Sequence, residues 1–302
     1  MSANRNVLTL LAGIVLGVYG FAASAQDKTK VVATFSILAD LAKNVGGDRV
    51  EIATLVGPDG DAHVYSPTPT DGRRLAEAKL VVANGLKLEG WMGRLIKSSG
   101  TAAPVVEAAK GVQPLKAEEH GHDHGHADVD PHAWQSVGNV KRYVTNIRDG
   151  LIAADPAGKA AYEANAAAYL ERLDALDRDV KAAIDAIPRD RRKIITSHDA
   201  FGYFQKAYGV TFVAPQGVST EAEASAKDVA KIIRQIRREK IPAVFLENVS
   251  DPRLLERIAK ESGAKIGGRL YSDALSGANG PAGTYIDMMR HNIRALSAAL
   301  SS

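Results

Sequence analysis

Between Pro156 and Ile187 the apolar positions Tyr162, Ala166, Tyr169, Leu173, Leu176, Val180, Ile184 and Ile187 recur every three or four residues without a break. No glycine interrupts the pattern after Gly158, and the next proline is Pro188. This spacing predicts one helix over 156–187, about 48 Å long at 1.5 Å per residue. Asp155 is placed to cap it and Pro156 to occupy its first position. A rod of that length exceeds the needs of one small lobe and is suited to spanning two.

The chain on either side alternates short β-branched runs with amphipathic stretches. Strands are expected at Val31–Phe35, Val50–Val56, Leu80–Asn84 and Pro104–Glu107, and again at Lys193–Thr196, Thr211–Ala214, Ala243–Leu246 and Lys265–Leu270. Helical spacing separates them, at Ile37–Val45, Thr70–Ala78, Trp91–Lys97, Phe204–Tyr208, Ala226–Lys240, Pro252–Ser262 and Thr284–Leu300. Strand–helix alternation implies parallel sheets with helices on their faces. The expected fold is therefore α/β, with two lobes joined by one long rigid helix. The N-terminal lobe takes 26–137, a helical region 138–188 and the C-terminal lobe 189–302.

Residues 1–25 form an export signal in this reading. Arg5 precedes an apolar run, and Ala23-Ser24-Ala25 supplies a small-x-small cleavage site. The product would be a periplasmic monomer. The chain contains no cysteine, which excludes disulfides, thiolate ligands and a lipidated cysteine anchor. A formal charge of +3 leaves no basic footprint for nucleic acid.

Four residues stand at ends that matter chemically, three after predicted strands and His132 at the end of the first lobe. They are His63 in Asp61-Ala62-His63, His132 in Asp130-Pro131-His132, His198 in Thr196-Ser197-His198, and Asp273 in Tyr271-Ser272-Asp273. Ligands of open α/β sheets bind beyond the carboxyl ends of strands, so two residues from each lobe could face one cleft. Three imidazoles and a carboxylate suit tetrahedral Zn²⁺ and suit Mn²⁺, which prefers more oxygen, less well. Any one of these histidines alone would be read as a surface or packed imidazole.

The local contexts carry more. The stretches Gly60-Asp61-Ala62-His63-Val64-Tyr65-Ser66-Pro67, Asp130-Pro131-His132-Ala133-Trp134, Thr196-Ser197-His198-Asp199-Ala200-Phe201 and Ser219-Thr220-Glu221-Ala222-Glu223, followed by Asp273, resemble the cluster A-I solute-binding receptors of zinc and manganese ABC transporters. The resemblance runs from about Lys30 to the C-terminus. It implies two α/β lobes with a metal buried between them, and His63, His132, His198 and Asp273 as its ligands. It further implies zinc, since manganese members typically carry Glu at the position of His198, although some relatives with three His and one Asp handle both metals. The chain departs from the family at Gln135-Ser136-Val137, where a Leu-Asp-Pro-like run is usual, and at Ala224, where Pro is common.

Five of the eight histidines lie in 118–134. His120, His122, His124 and His126 alternate with small or acidic residues in a stretch too polar to pack, read as a flexible loop over 118–129 that binds metal weakly and exchangeably. Glu247 and Asp199 could each orient a ligand from behind. Trp91 and Trp134 are expected in the core, and His291 on a solvent-facing or packing position. The function expected is a periplasmic zinc receptor, not an enzyme, working with an inner-membrane permease and its ATPase, with a periplasmic zinc donor protein as a further candidate partner. A manganese or dual receptor is the alternative. A zinc hydrolase or a metal buffer comes after it, the hydrolase disfavoured because no His-Glu-x-x-His run is present and Asp273 would close the coordination sphere.

Overall fold

Strand β1 (Thr29–Phe35) pairs in parallel with β2 (Val50–Val56) on one side and β3 (Leu80–Ala83) on the other, and β4 (Val105–Glu107) extends the sheet beyond β3. The strand order is β2-β1-β3-β4. All four residues of β3 are buried, as a strand covered on both faces by helices requires. Helices α1 (Ser36–Gly46), α2 (Pro69–Glu77), α3 (Met92–Ser99) and α4 (Val137–Ala154) belong to this half. The computed structural model describes residues 27–117 and 129–301. The expected signal sequence and His120, His122, His124 and His126 lie outside them.

The second sheet repeats the plan. Strands β5 (Lys193–Ile195), β6 (Thr211–Val213), β7 (Ala243–Glu247) and β8 (Lys265–Leu270) are all parallel in the order β6-β5-β7-β8. Around it lie α6 (Gly202–Tyr208), α7 (Ala226–Glu239), α8 (Arg253–Ser262) and α9 (Tyr285–Leu300). Helix starts follow local chemistry. Thr68 and Asp71 form a reciprocal capping box at α2, with Pro69 just inside it, and Ser225 and Thr284 cap α7 and α9 by accepting from the amides of Asp228 and Asp287. No helix of the described residues is long and apolar enough to cross a membrane.

The long helix differs from expectation at its start. Residues Pro156–Gly158 form a 3₁₀ turn, and the α-helix α5 covers Lys159–Asp185, 27 residues or about 40 Å. Asp155 does not cap it through its side chain. That carboxylate instead accepts from Arg49 at 2.8 Å and from the Tyr162 hydroxyl at 2.7 Å, which ties the start of the helix to the turn before β2.

The predicted apolar stripe of α5 is buried along its length: Tyr162, Ala166, Tyr169, Leu173, Leu176, Val180 and Ile184. It joins one continuous core that includes Phe35 and Leu41 of the first half and Phe245 and Leu270 of the second. Helix α9 forms a second bridge. The Tyr285 amide donates to Asp40 of α1 at 2.9 Å, and the Tyr285 hydroxyl donates to the Trp134 carbonyl at 2.8 Å. A core shared between lobes resists the free hinge motion expected of lobes joined by polar surfaces.

Candidate metal centre

The loops after β2, β5 and β8, and the segment before α4, meet between the two sheets. There His63, His132, His198 and Asp273 each present one donor atom, all four lying within 4.8 Å of one another. The three histidines converge through Nε2. His63 Nε2 lies 3.2 Å from His132 Nε2 and 3.4 Å from Asp273 Oδ2. His198 Nε2 lies 3.0 Å from Asp273 Oδ2, and His132 Nε2 3.7 Å from Oδ1. A tetrahedron with bonds of 2.0–2.1 Å has edges of about 3.3 Å, so the spacing fits a four-coordinate divalent ion. The side chains of His132, His198 and Asp273 are fully buried, and that of His63 is 5% exposed.

A carboxylate supports each histidine, at ring Nδ1 for His132 and His198 and at the backbone amide for His63. Asp130 Oδ1 accepts the His132 backbone N–H at 2.8 Å and stands 2.8 Å from its Nδ1. Glu247, the last residue of β7, accepts the amides of Ser197 at 2.6 Å and His198 at 3.1 Å through Oε1. Its Oε2 faces His198 Nδ1 at 2.7 Å, off the line of an ideal hydrogen bond. An acceptor on the Nδ1 side places the proton there and turns the Nε2 lone pair toward the ion. Asp61 Oδ1 accepts the His63 amide at 2.8 Å. The spacing Asp-x-His thus occurs twice with the same turn chemistry, an aspartate accepting the N–H two residues on. That repeat is a readable signal for Asp61 and Asp130, neither of which the sequence reading singled out.

Both tryptophans lie in the core as expected, and both also pin ligand loops. Trp91 Nε1 donates to the Ala62 carbonyl at 2.9 Å, beside His63. Trp134 Nε1 and Gln135 Nε2 donate to the Ser272 carbonyl at 2.8 and 2.6 Å, beside Asp273. Gln135, one of the departures from the family pattern, therefore joins the His132 segment to the Asp273 loop. Asn248 accepts from the Ser272 amide at 3.3 Å and donates to the Ala274 carbonyl at 3.2 Å, bracketing Asp273. Asp199 lines a separate depression of about 250 Å³ with Lys116, Gln205 and Lys206. His291 packs edge-on to Tyr271 and makes a 3.0 Å contact with the Arg269 carbonyl.

Burial alone would lower all three imidazoles. At His63 it prevails, and the pKa falls. At His132 the carboxylates of Asp273 and Asp130 outweigh it and push the ring up to about 9. At His198 Glu247 and Asp273 outweigh it and raise the ring well above its usual value. Asp273 is held well below the carboxylate range by His198 and His132, against its own desolvation. Protons and a divalent cation would therefore compete for His132 and His198.

A cavity of about 820 Å³ opens beside His63, walled by Tyr65, Trp91 and Arg94 on one side and Val218, Ser219 and Glu221 on the other. It leads to the one ligand that is not fully enclosed.

Known proteins resemble this chain in sequence and architecture. The family described as "Zinc-uptake complex component A periplasmic" matches residues 31–299. The iron-binding protein YfeA of Yersinia pestis is 37% identical, covering 88% of this chain and 84% of its own length. The manganese ABC transporter substrate-binding lipoprotein PsaA of Streptococcus pneumoniae is 33% identical over 100% of both. Among solved structures, the periplasmic zinc binding protein TroA of Treponema pallidum superposes with a TM-score of 0.85 at 34% identity, covering 91% of this chain and 100% of that one. The chain belongs to the zinc-uptake component A family, the periplasmic metal-binding receptors of ABC transporters that work with a membrane permease and its ATPase.

Proposed function

We propose that this protein captures Zn²⁺ in the cleft between its lobes, on His63, His132, His198 and Asp273, and delivers it to an ABC permease for import. The observation that carries the reading is the convergence of three imidazole Nε2 atoms on one buried carboxylate at tetrahedral spacing. Imidazole-rich donor sets favour zinc over manganese. Four protein donors leave no open position of the kind a catalytic zinc keeps for water, which favours a receptor over a hydrolase.

A manganese or dual receptor is the second reading. Relatives named for manganese and iron support it. So does Asp273 Oδ1, buried without a hydrogen-bond partner among the described residues and able to serve as a fifth, oxygen donor. Calorimetry on a protein lacking residues 118–126 tests both. One tight zinc event per chain should survive the deletion, with manganese bound more weakly. Loss of that event would overturn the ligand assignment, and tighter manganese binding would overturn the choice of metal.

The remaining parts of the reading are an exported monomer beginning near Gln26, lobes divided at 137 and 188, and a histidine tract that collects zinc or accepts it from a donor protein. The N-terminal mass and sedimentation behaviour of periplasmic protein test the first of these. Zinc stoichiometry with and without 118–126 tests the last.

A further inference from the structure

The segment between β6 and α7, residues 214–225, has no regular structure, yet it is tied at both ends of its middle. At the near end the Asp199 amide donates to the Gly217 carbonyl at 3.1 Å and the Gln216 amide to the Ser197 carbonyl at 3.4 Å, so it is stitched to both neighbours of His198. At the far end the Thr220 hydroxyl donates to Asp61 Oδ2 at 2.6 Å, across the cleft. The other oxygen of Asp61 accepts the His63 amide. Residues 216–222 therefore form a strap that runs from one lobe's candidate ligand to the other's. Its residues Val218, Ser219, Glu221 and Ala222 wall the cavity that reaches His63, the one incompletely enclosed ligand.

Resting on the reading that this cage holds the cargo metal, we infer that Thr220 is a positioning residue that sets how long the ion stays. Its bond to Asp61 holds the strap against the His63 loop, and the ion departs when that bond opens. One carboxylate ties the two events together, because Asp61 cannot swing away from Thr220 without disturbing the amide it holds at His63. The bond joins a neutral hydroxyl to a charged carboxylate, the stronger class of hydrogen bond. Without it the His63 loop keeps its other tethers to the second lobe: the Asp59 amide to the Leu275 carbonyl at 2.9 Å, and Asn248 to Asp59 Oδ1 at 3.1 Å. Removing the hydroxyl should thus loosen the strap without separating the lobes.

The test compares Thr220→Val, which keeps the shape and loses the hydroxyl, with Thr220→Ser, which keeps the hydroxyl. Release of zinc from the full chain into excess chelator is followed by stopped flow, alongside stoichiometry and metal-free melting temperature. The valine variant should release zinc roughly ten- to a hundredfold faster, the range for a bond to a charged acceptor. It should still fold cooperatively and bind one ion, with a metal-free melting temperature lower by only several degrees as the loss of one hydrogen bond entails, and serine should restore the slow rate. Wild-type release from a valine variant that still binds one ion, or serine behaving as valine does, would overturn the strap alone. A wild-type chain that binds no ion in the cage would overturn the reading of the site and this inference with it.

Discussion

Replacing Glu247 by glutamine separates what the carboxylate does for the fold from what it does for the metal. In the wild type Oε1 holds the amides of Ser197 and His198, and Oε2 faces His198 Nδ1 at 2.7 Å. Glutamine keeps an acceptor for the two amides, so the turn after β5 should survive. Its NH₂ group then takes the place of Oε2, opposite Nδ1. Two donors cannot share that contact. His198 must either turn or move its proton to Nε2, into the cage, where it blocks the lone pair. Loss of an outer partner of this kind costs about 10- to 100-fold in metal affinity, or about 1.4–2.7 kcal/mol. Alanine would be harsher, because the two amides lose their acceptor at about 1–3 kcal/mol each. Competition with a chromophoric zinc chelator measures the affinity, and metal-free thermal unfolding checks the fold. A Glu247→Gln variant that binds zinc within about threefold of wild type, with unchanged unfolding, would refute the orienting role, since so small a change is only about 0.6 kcal/mol.

Other outcomes follow from the same geometry. Alanine at His63, His132 or His198 should weaken zinc binding beyond the about 100-fold ceiling for outer partners, read by the same competition assay. His132 titrates near 9, so protons compete with the metal below that pH, and the affinity measured from pH 8 to 6 should fall about tenfold per unit for that proton alone. Trp91→Phe removes the donor to the Ala62 carbonyl and should cost about 1 kcal/mol of zinc affinity by loosening the His63 loop; equal affinities would exclude that role. Burial raises Asp40 to about 6, above its unfolded value near 3.8, so its cost to the fold is absent below pH 4 and complete above pH 6. The stability difference between Asp40→Asn and wild type should accordingly move by up to about 3 kcal/mol in the variant's favour between pH 4 and pH 7 in urea unfolding.

Much of the fold is local enough to be read from the chain. Strands β2 and β8 begin and end where alternation and β-branched residues place them, and the other strands shift by one or two residues at their ends. The start of α5 is the instructive difference. Asp155-Pro156 carries a local capping signal, but Arg49 and Tyr162 compete for the same carboxylate, and Arg49 is 106 residues away. A cap depends on what else can reach the side chain, and nothing near Asp155 in sequence announces Arg49.

The metal centre divides in the same way. The ligand types, the places of His63, His198 and Asp273 after strands and the Asp-x-His turns are properties of short segments, because an aspartate reaches an amide two residues on whatever the rest of the chain does. That Glu247 serves His198, that Trp134 and Gln135 hold the Asp273 loop, and that Thr220 meets Asp61 could not be read this way. Those partners lie between 49 and 159 residues apart: Glu247 meets His198 because β7 pairs with β5 in one sheet, and the others meet because the two halves of the chain pack together. The sequence determined which groups could bind a metal and the local turns that present two of them. Tertiary structure decided the distances among them, their protonation and which bonds hold the cleft shut, since each depends on desolvation and charge supplied by residues far away in sequence.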